Sequence, residues 1–401
     1  MTSTITSGPA PRTHQQWLET ARAVAADLAQ DALERDRANA LPHAEIDKLR
    51  RAGLLSLLIP AELGGGGGGW RTAYQVIREI AIADGSIGQL IGYHFQISWN
   101  AGFFANWEML DELGRRGAAE GWFWGGAFNP RDADLTLTRD GDGFRLDGRK
   151  SFSTGARVAD RIGASAIRAD TGEPVFIVLD PRQPGVTFAD DWDNLGQRLT
   201  ASGSIAFDGA RVDADGIVAS LAPDALTPFG TLVTPAIQLV FIQFYLGIAE
   251  GALATAREYT RTRTRPWVVS DVERATEDPY ILQTYGDLVA RTRAARALAD
   301  EAIDALATII EAGPGALDWD GRGEIAEHVA AAKVVATQVS LDVTSRIFEV
   351  TGARATANAV GLDRFWRNVR THTLHDPVAY KQREVGAHFL TGEYPPFTLY
   401  T

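Results

Sequence analysis

The spacing of apolar residues changes twice along this chain, and that change limits the folds open to it. From Trp17 to Leu58, apolar residues recur at the three- and four-residue spacing of amphipathic helices. Between Trp122 and about Val212 the pattern becomes short β-type runs separated by Gly, Pro and Asp. After about Thr231 helical spacing returns. The sequence therefore predicts a mostly α-helical protein with a central β-domain.

The β-domain is predicted to consist of short strands joined by tight turns. Asp140–Gly143 is predicted as a hairpin turn, and Asp147-Gly148 as a second turn. The glycines of this region match no dinucleotide-binding fingerprint, because neither their spacing nor a following crossover helix fits. The predicted strands are Leu135–Thr138, Phe144–Leu146, Ile162–Ile167, Val175–Leu179, Val186–Ala189 and Ser204–Phe207.

Three long helices dominate the last part of the chain. They are predicted over Leu239–Arg263, Tyr285–Ile310 and Ile325–Val350, each about 25 residues long with one or two apolar faces, which is typical of a bundle. A final helix is predicted to begin at Asp376-Pro377, since aspartate is a favoured N-cap and proline a favoured first helical residue.

A run of six glycines, Gly64–Gly69, lies between two helical regions. Glycine has a large conformational entropy, so the run is predicted to form a flexible surface loop. It is not predicted to cradle phosphate, because no Lys-Ser or Lys-Thr follows it.

The chain of 401 residues exceeds the size at which a single hydrophobic core stops growing. We therefore expect cooperating domains. The predicted divisions are a disordered tail over 1–12, an N-terminal helical domain over 13–121, a middle β-domain over 122–225 and a C-terminal helical bundle over 226–401.

Composition narrows the class of function. Hydrophobic residues make up 45% of the chain and charged residues 22%, which are ordinary values for a globular protein. A net charge of −12 argues against a nucleic-acid partner, because binding phosphates requires a concentrated basic surface. The chain has no cysteine, which excludes disulfides, thiolate nucleophiles and zinc sites with sulfur ligands, and no metal site is predicted.

No targeting or membrane segment is predicted. Residues 1–12 have neither the basic start nor the apolar centre of a signal peptide. The apolar stretch Pro235–Ala249 is interrupted by Gln238 and Gln243 and is shorter than the roughly 20 residues that cross a bilayer. We therefore expect a cytoplasmic protein with no membrane partner.

The segment near the C-terminus concentrates residues that can carry chemistry. Arg367 and Arg370 could bind an anion, while His372 and His375 could move protons near neutral pH. This combination suits a cofactor that bears a phosphate. Alternatively, each of these residues could be a structural partner in an ion pair or a buried hydrogen bond.

Several segments resemble one known family. The order of helices, β-domain and helical bundle is that of the acyl-CoA dehydrogenase fold, and the individual segments look like its dibenzothiophene monooxygenase branch. The similarity extends from about Leu28 to Pro395. Besides the C-terminal cluster, the segments that carry it are Ala83–Gly88, Gly92–His94, Tyr245–Ala249, Arg257–Thr262, Arg265–Trp267 and Glu277–Tyr280.

The resemblance implies a two-component flavin monooxygenase. Such enzymes receive reduced flavin, usually FMN with FAD as the alternative, by diffusion from a separate flavin reductase. They react it with O2 to a flavin hydroperoxide and oxygenate an aromatic sulfur or nitrogen heterocycle, such as a dibenzothiophene-like or indole-like compound. The resemblance also implies a homotetramer. The pocket must be mostly apolar with a few placed polar groups, because water destroys the oxygenated cofactor.

The resemblance also suggests catalytic residues. His388 resembles the family's histidine on the final helix and is assigned the main catalytic role as base or proton donor. His94 resembles a second pocket histidine. Thr154 stands where the family has a serine, so it keeps the hydroxyl.

Cofactor and substrate contacts are assigned in the same way. Phe152, Thr154 and Trp192 resemble residues that line the flavin, while Arg265 and Arg367 resemble arginines that contact its phosphate. The substrate pocket is expected to include Tyr93, His94, Trp124 and Gly126. Gly126 replaces an asparagine of the family, and Asn129 is a possible substitute for it. Each aromatic residue could instead be ordinary core packing.

Two other functions stay open. An acyl-CoA dehydrogenase would need a carboxylate base, for which Asp376 and Glu250 are the candidates. Asp376, however, is expected to cap a helix. The third possibility is a helical scaffold without catalytic activity. Binding of reduced FMN would distinguish it from an enzyme.

Overall fold

The computed structural model describes residues 12–398 and 401, so nearly all of the predicted tail over residues 1–12 lies outside the described residues. The first part of the chain is helical, as predicted. Its helices are α1 (His14–Leu28), α2 (Ala32–Ala38), α3 (His43–Arg51), α4 (Trp70–Ala83), α5 (Gly85–Ser98), α6 (Asn100–Phe103) and α7 (Trp107–Glu120).

Local capping explains where two of these helices begin. Thr13 and Gln16 form a capping box at the start of α1, in which each side chain bonds the other's backbone N–H. The carboxylate of Asp84 accepts hydrogen bonds from the backbone N–H groups of Ser86 and Ile87 and so caps α5. Because Asp84 is the only residue between α4 and α5, the direction of α5 is set sharply.

The glycine run forms a surface loop, as predicted, but the loop is closely packed against its neighbours, and its predicted flexibility stays a prediction. The backbone N–H groups of Gly66 and Gly68 donate to the carbonyls of Ser56 and Leu57, both at 2.8 Å. A Cβ atom on Gly66 would lie 2.5 Å from Cζ2 of Trp17. The glycines are therefore needed for close approach to the surrounding side chains and backbone.

The middle of the chain forms an eight-stranded sheet with strand order β6-β7-β3-β2-β4-β5-β8, in which β1 pairs separately with β4. The pairs β1–β4 and β2–β4 are parallel, and the other pairs are antiparallel. The strands are β1 (Trp124–Ala127), β2 (Leu135–Asp140), β3 (Gly143–Lys150), β4 (Arg161–Arg168), β5 (Pro174–Leu179), β6 (Val186–Phe188), β7 (Ile205–Val212) and β8 (Ile217–Ser220).

The predicted strands are confirmed, with two differences. Asp140 pairs with Gly143, so the predicted hairpin between β2 and β3 is present. The turn predicted at Asp147-Gly148 is wrong, because β3 continues through it with a register shift and Gly148 has φ +129°. The strands β1 and β8 were not predicted, since each has only four residues.

The last part of the chain is a helical bundle, which confirms the predicted fold class. Each of the three long helices begins about six residues earlier than predicted. The helices are α8 (Val233–Thr262), α9 (Pro279–Ala312), α10 (Trp319–Thr351), α11 (Asp363–His372) and α12 (Val378–Thr391).

Helix α8 is longer than predicted. The segment Gly230–Thr262, which contains α8, meets the length and composition of a membrane span, but 89% of its apolar window is buried inside the protein. It packs against α4, α5, α9 and α10. α8 is therefore a buried core helix of the bundle.

The start of the last helix differs from the prediction. α12 begins at Val378, and its N-cap residue is Pro377, which offers no side-chain hydrogen bond to the helix. The Asp376 carboxylate instead pairs with the ammonium group of Lys333 on α10. A tertiary ion pair has therefore replaced the local cap that the sequence indicated.

The β-domain and the bundle meet at a loop that follows β6. A Cβ atom on Gly196 would lie 2.1 Å from the carbonyl oxygen of Arg367, so only glycine fits against α11. The next backbone N–H, that of Gln197, donates to Oδ1 of Asn368 at 2.8 Å. α5 packs against both β1 and α8, so side chains of the N-terminal helices, the sheet and the bundle meet beside it.

Candidate functional site

A buried group of polar and aromatic side chains lies where α5, α8 and α11 converge. Nδ1 of His372 is 2.7 Å from the hydroxyl of Tyr245, and its Nε2 is 3.3 Å from the hydroxyl of Tyr93. The His375 ring stacks on His372 with centroids 5.3 Å apart, and Phe241 packs edge-on against His372. We call these five residues the imidazole cluster.

Helix geometry explains why these side chains meet. His372 lies on the buried face of α11 together with Phe365 and Val369, at helical spacing. Phe241 and Tyr245 are four residues apart on α8 and therefore share the face that meets α11.

A row of hydroxyl groups extends the imidazole cluster into the β-domain. The hydroxyl of Thr154 serves as a hydrogen-bond partner for Tyr93 and lies 3.0 Å from that of Ser202. Ser202 is in turn 2.7 Å from the hydroxyl of Thr200, which donates to the carbonyl of Gln197 at 2.8 Å.

The carbonyl at the end of this row determines which way its protons point. The Thr200 hydroxyl must donate to the carbonyl, so Ser202 donates to Thr200 and Thr154 donates to Ser202. Tyr93 then donates to Thr154 and accepts the Nε2 proton of His372. This leaves Nδ1 of His372 to accept from the Tyr245 hydroxyl.

Burial keeps these groups uncharged. It lowers the pKa of His372 well below its ordinary value, and the charge of His375 lowers it further. Burial also raises the pKa of Tyr93 and of Tyr245, and the Asp376 carboxylate adds to both effects. The buried part of the imidazole cluster is therefore a neutral hydrogen-bond network at neutral pH.

An ion pair borders the imidazole cluster. Lys333 is 1% exposed, and its ammonium group contacts Oδ2 of Asp376 and lies 5.3 Å from the Phe241 ring centroid. Oδ1 of Asp376 is 3.5 Å from Nδ1 of His375. Burial by itself would raise the pKa of Asp376, but His375 and the Lys333 charge outweigh it and hold this pKa far below its ordinary value.

The surface beside Thr154 is shaped for a flat apolar ligand. Phe152 is 63% exposed, and its φ of +52° is unusual for an aromatic residue. Its ring stands edge-on to Trp192 at 6.0 Å. An exposed aromatic ring held in a strained conformation is characteristic of ligand-binding sites. Phe152, Thr154 and Trp192, which were assigned to the flavin, thus lie close together.

A cavity of about 220 Å³ adjoins this surface. Arg198 lines it and donates only through Nε, to the carbonyl of Asp36, so the rest of its guanidinium has no partner among residues 12–398 and 401. Arg157 also lines it and pairs with the exposed Asp190. These cationic donors beside Trp192 fit the phosphate-bearing tail of a flavin. The other lining residues include Ser153, Ala201, Gly203 and Ser204.

His94 lies apart from the imidazole cluster although it follows Tyr93. Its Nε2 is 2.8 Å from the Leu55 carbonyl, and its Nδ1 accepts the backbone N–H of Trp124 at 3.2 Å. Burial lowers its pKa to about 4. Both ring nitrogens therefore have backbone partners, and the catalytic role implied by the resemblance stays a prediction. Successive residues on a helix point about 100° apart, which explains the separation.

His388 is also placed outside the imidazole cluster. Its ring is half-buried, stacks on Tyr394 with centroids 4.5 Å apart, and its Nδ1 is 3.4 Å from the carbonyl of Glu393. Among the contacts within the described chain, none joins it to Tyr93, Thr154 or His372. Its contacts within the described chain are thus apart from the imidazole cluster, and its catalytic role stays a prediction.

The two arginines assigned to the phosphate have different surroundings. Arg367 contacts Asp36 at 2.5 Å, Asp363 at 2.8 Å and the Leu195 carbonyl at 2.9 Å, so its guanidinium is fully used in joining α11 to α2 and the β-domain. A phosphate would have to replace one of these partners, so the phosphate role of Arg367 stays a prediction. Arg265 is exposed and makes no hydrogen bond or ion pair with any residue of the described chain, so it remains able to bind an anion.

Gly126 and Trp124 line an apolar region next to Tyr93. A Cβ atom on Gly126 would lie 2.7 Å from the Phe128 ring and 2.8 Å from Ile97, so Phe128 fills the space that a larger residue would take. Trp124 is buried in the same apolar cluster. Asn129 does not substitute for the missing asparagine, because its amide group bonds Ser151 and Arg131.

Sequence reasoning identified His372 and His375 as groups that could move protons but did not place them among the catalytic residues, and it missed Tyr245, Lys333 and Gln89. Nε2 of Gln89 is 3.5 Å from the Thr154 hydroxyl, and Gln89 lies one turn before Tyr93 on α5. That spacing was a usable signal, since residues four apart share a helix face. Lys333 gives no local signal, because a lysine in a long helix is usually exposed.

Family comparisons agree with this geometry. Three domain models of acyl-CoA dehydrogenase match the chain: the N-terminal domain over residues 11–109, the middle domain over 126–210 and the C-terminal domain over 239–379. They correspond to the first helices, the sheet and the bundle.

Individual relatives cover almost the whole chain. Dibenzothiophene monooxygenase of Rhodococcus erythropolis is 41% identical over 392 residues, which span 94% of this chain and 93% of the relative. The complex of TdsC from a Paenibacillus species with FMN and indole is 39% identical with a TM-score of 0.92, over 96% of this chain and all of that one.

A third relative acts on a smaller sulfur compound. Methanesulfinate monooxygenase MsuC of Pseudomonas fluorescens is 39% identical with a TM-score of 0.91, over 96% of this chain and 99% of that one. The chain therefore belongs to the acyl-CoA dehydrogenase superfamily and, within it, to the FMN-dependent monooxygenases related to dibenzothiophene monooxygenase.

Proposed function

We propose that this monooxygenase oxygenates a small aromatic sulfur or nitrogen heterocycle, using reduced FMN from a separate flavin reductase. The observation that carries the proposal is the imidazole cluster, whose Tyr93 is hydrogen-bonded to Thr154, on the same segment as the exposed Phe152 that stands edge-on to Trp192. Relatives that bind FMN with indole, or are named for dibenzothiophene, support the substrate class.

The residues present fit a flavin. Phe152 and Trp192 offer a flat apolar wall, and Thr154 offers a hydroxyl at its edge. Arg198 in the adjoining cavity and the unpaired Arg265 are the candidates for the phosphate, a role suited to forked guanidinium donors. Reduced flavin, when bound, would supply the electrons that activate O2, and the transferred oxygen atom would come from O2.

His375 takes the role of catalytic acid and base in this proposal, in place of His388. Its side chain is 44% exposed, so a ligand can reach it, whereas His372 is enclosed. With Nδ1 directed at Asp376, the nitrogen left to take up or give a proton is Nε2. The buried Tyr93, Tyr245 and His372 orient the site and keep water out of it.

The dehydrogenase alternative lacks a suitable base. Asp376 is held ionised by Lys333 and faces His375, so it is a poor acceptor for a carbon-bound proton. Glu250 pairs with Arg296 at 3.5 Å on the side of the bundle that faces α9, beside Arg257 and Tyr285. The cavity that these residues line shares no residue with the imidazole cluster.

An apolar aromatic wall favours a heteroaromatic substrate. Phe128 and Phe176 stack with centroids 5.3 Å apart, and Trp122, Trp124 and Tyr93 pack into the same cluster. Flat aromatic ligands bind to such surfaces through dispersion and offset stacking. The relative that acts on methanesulfinate shows that the same fold serves a small polar substrate, so substrate size requires a direct test.

The reductase, assembly and location are further parts of the proposal. Free reduced flavin is expected to reach the site by diffusion in the cytoplasm. A homotetramer is expected, and the exposed apolar residues Trp267, Val268 and Val269, at 70%, 84% and 76%, would be covered by neighbouring subunits. Light scattering at micromolar protein would test this assembly, and a monomer would contradict it.

The decisive experiment supplies the protein with FMN, NADH, a flavin reductase and ¹⁸O2. Dibenzothiophene, indole and methanesulfinate are offered separately. We expect one labelled oxygen atom in the product of a heteroaromatic substrate, read by mass spectrometry, and no product when the flavin is not reduced. Consumption of methanesulfinate alone would overturn the substrate class. Oxidation of an acyl-CoA in place of oxygenation would support the dehydrogenase.

A further inference from the structure

Lys333 is a buried lysine on an otherwise apolar face of α10. It is 1% exposed on α10, on a face that otherwise presents Val329, Ala332 and Ala336. Burying an ammonium group is costly, and the cost is offset only by a paired charge. Its partner is Asp376, which lies just before α12.

The Asp376 carboxylate uses its two oxygens differently. Oδ2 contacts the Lys333 ammonium group. Oδ1 is buried and has no hydrogen bond of good geometry among the described residues, while Nδ1 of His375 lies 3.5 Å away. A buried carboxylate oxygen without a hydrogen-bond donor destabilises the folded protein, and the nearest candidate donor is Nδ1–H of His375.

We propose that Lys333 is a positioning residue for the reaction, because its ammonium group holds Asp376 as an oriented carboxylate. Oδ1 of this carboxylate accepts a hydrogen bond from Nδ1–H of His375. Nε2 of His375 is then left as the basic nitrogen. This inference rests on the proposed function in so far as His375 acts on the ligand. The electrostatic link between Lys333 and His375 does not depend on it.

Other charged groups around the pair do not take over the role of Lys333. On α12, Lys381 and Glu384 pair with each other at 2.6 Å, which leaves their summed charge near zero. The groups that face the pair from α5, α8 and α11 are the neutral Tyr93, Tyr245 and His372, and the charge of Arg370 acts on Tyr245. The ammonium group of Lys333 is thus the main charge that offsets Asp376.

The test compares Lys333→Met, Asp376→Asn, the double variant and the charge-keeping Lys333→Arg. The midpoint pH of His375 protonation is measured by deuterium exchange of its ring C–H, read by peptide mass spectrometry with fragmentation to separate His372. Removing Lys333 leaves Asp376 with only His375 as a cationic partner. It also removes a like charge that disfavours protonated His375, and because a charge this close shifts a midpoint by about 1–3 pH units, we expect a rise of at least about 1 pH unit.

The other variants define the sign of the effect. Asp376→Asn should lower the midpoint, the double variant should return it close to the wild-type value, and Lys333→Arg should keep it there. The pH profile of oxygenation should shift in the same order. A midpoint that stays in place in Lys333→Met, with only thermal stability reduced, would show a purely structural role and overturn the inference.

The experiment stays decisive if Lys333→Met fails to fold, and it distinguishes failure of this inference from failure of the proposed function. If Lys333→Met does not fold, wild type, Asp376→Asn and the neutral double variant still decide, because an unchanged midpoint in Asp376→Asn overturns the inference. The exchange measurement requires no flavin. If wild type oxygenates nothing, the proposed function fails, while the order of midpoints still tests the link between Lys333 and His375.

Discussion

At the scale of single residues, His375 and His388 have very different surroundings although both lie near the end of the chain. His375 stacks on His372 and faces Asp376, whereas His388 stacks on Tyr394 at the far end of α12. Proton transfer needs a group within hydrogen-bonding reach of the ligand. Only the first of these histidines belongs to the imidazole cluster, which Tyr93 links to Thr154.

This difference gives the first prediction. His375→Gln should lower the rate of oxygenation by about 100-fold or more, because general acid–base catalysis typically contributes that much. His388→Gln is the matched control and should stay within about threefold of wild type. Product formation under constant reductase activity is the measurement. A larger loss in His388→Gln than in His375→Gln would reverse the assignment.

Gly126 provides a second prediction at this scale. Gly126→Ala should lower the free energy of unfolding by about 1–3 kcal/mol, because the new methyl group overlaps the Phe128 ring and Ile97. Combining it with Phe128→Leu should recover part of the loss. Urea denaturation is the measurement, and equal losses in the single and double variants would show that Phe128 is not the obstacle.

At the scale of elements, the glycine loop tests whether close packing or flexibility explains its composition. Gly65→Ala should cost about 1–3 kcal/mol of stability, because a Cβ atom there would lie 2.3 Å from the Ile59 carbonyl oxygen. Gly69→Ala is the control, since its Cβ atom would meet nothing closer than 3.6 Å. Equal midpoints of thermal unfolding for the two variants would favour a flexible loop.

The junction between α2 and α11 gives a fourth prediction. Arg367→Ala and Asp36→Asn should each lower the free energy of unfolding by about 1–3 kcal/mol, because the first leaves the buried Asp36 carboxylate unpaired and the second removes the buried partner of Arg367. Both variants should bind FMN with unchanged affinity, as measured by fluorescence titration. Weaker FMN binding in Arg367→Ala alone would restore the phosphate role.

At the scale of the whole molecule, buried neutral histidines make stability depend on pH. Burial lowers the pKa of His94 from the ordinary 6.5 to about 4, so between these values the unfolded chain binds a proton that the folded protein does not. Stability is therefore greatest above pH 6.5 and falls as pH drops toward 4. The contribution of His94 to this loss is roughly 3 kcal/mol.

The prediction compares wild type with His94→Gln in urea titrations at pH 7 and pH 5. Wild type should lose more stability between these pH values than the variant does, although the variant is less stable at pH 7, since it disturbs the bonds to Leu55 and Trp124. Parallel pH curves would show that His94 does not titrate on unfolding.

The order of helices, strands and bundle could be predicted from the sequence, because a helix or strand shows its period within a few turns of chain. The three long helices and the β2–β3 hairpin are examples. Boundaries were less well predicted, since α8 extends to Val233 through packing and not through a local cap. Family membership and the FMN cofactor also followed from segments of the sequence.

Only the tertiary structure decided which residues form the site. Tyr93 and Tyr245 meet His372 across 279 and 127 residues of sequence, and Lys333 meets Asp376 across 43. Such partners are chosen by long-range packing, which leaves no local period. For the same reason, the local sequence indicated Asp376 as a helix cap and gave no sign of its ion pair with Lys333. The sequence by itself determined the architecture, while folding determined the chemical environment of each histidine.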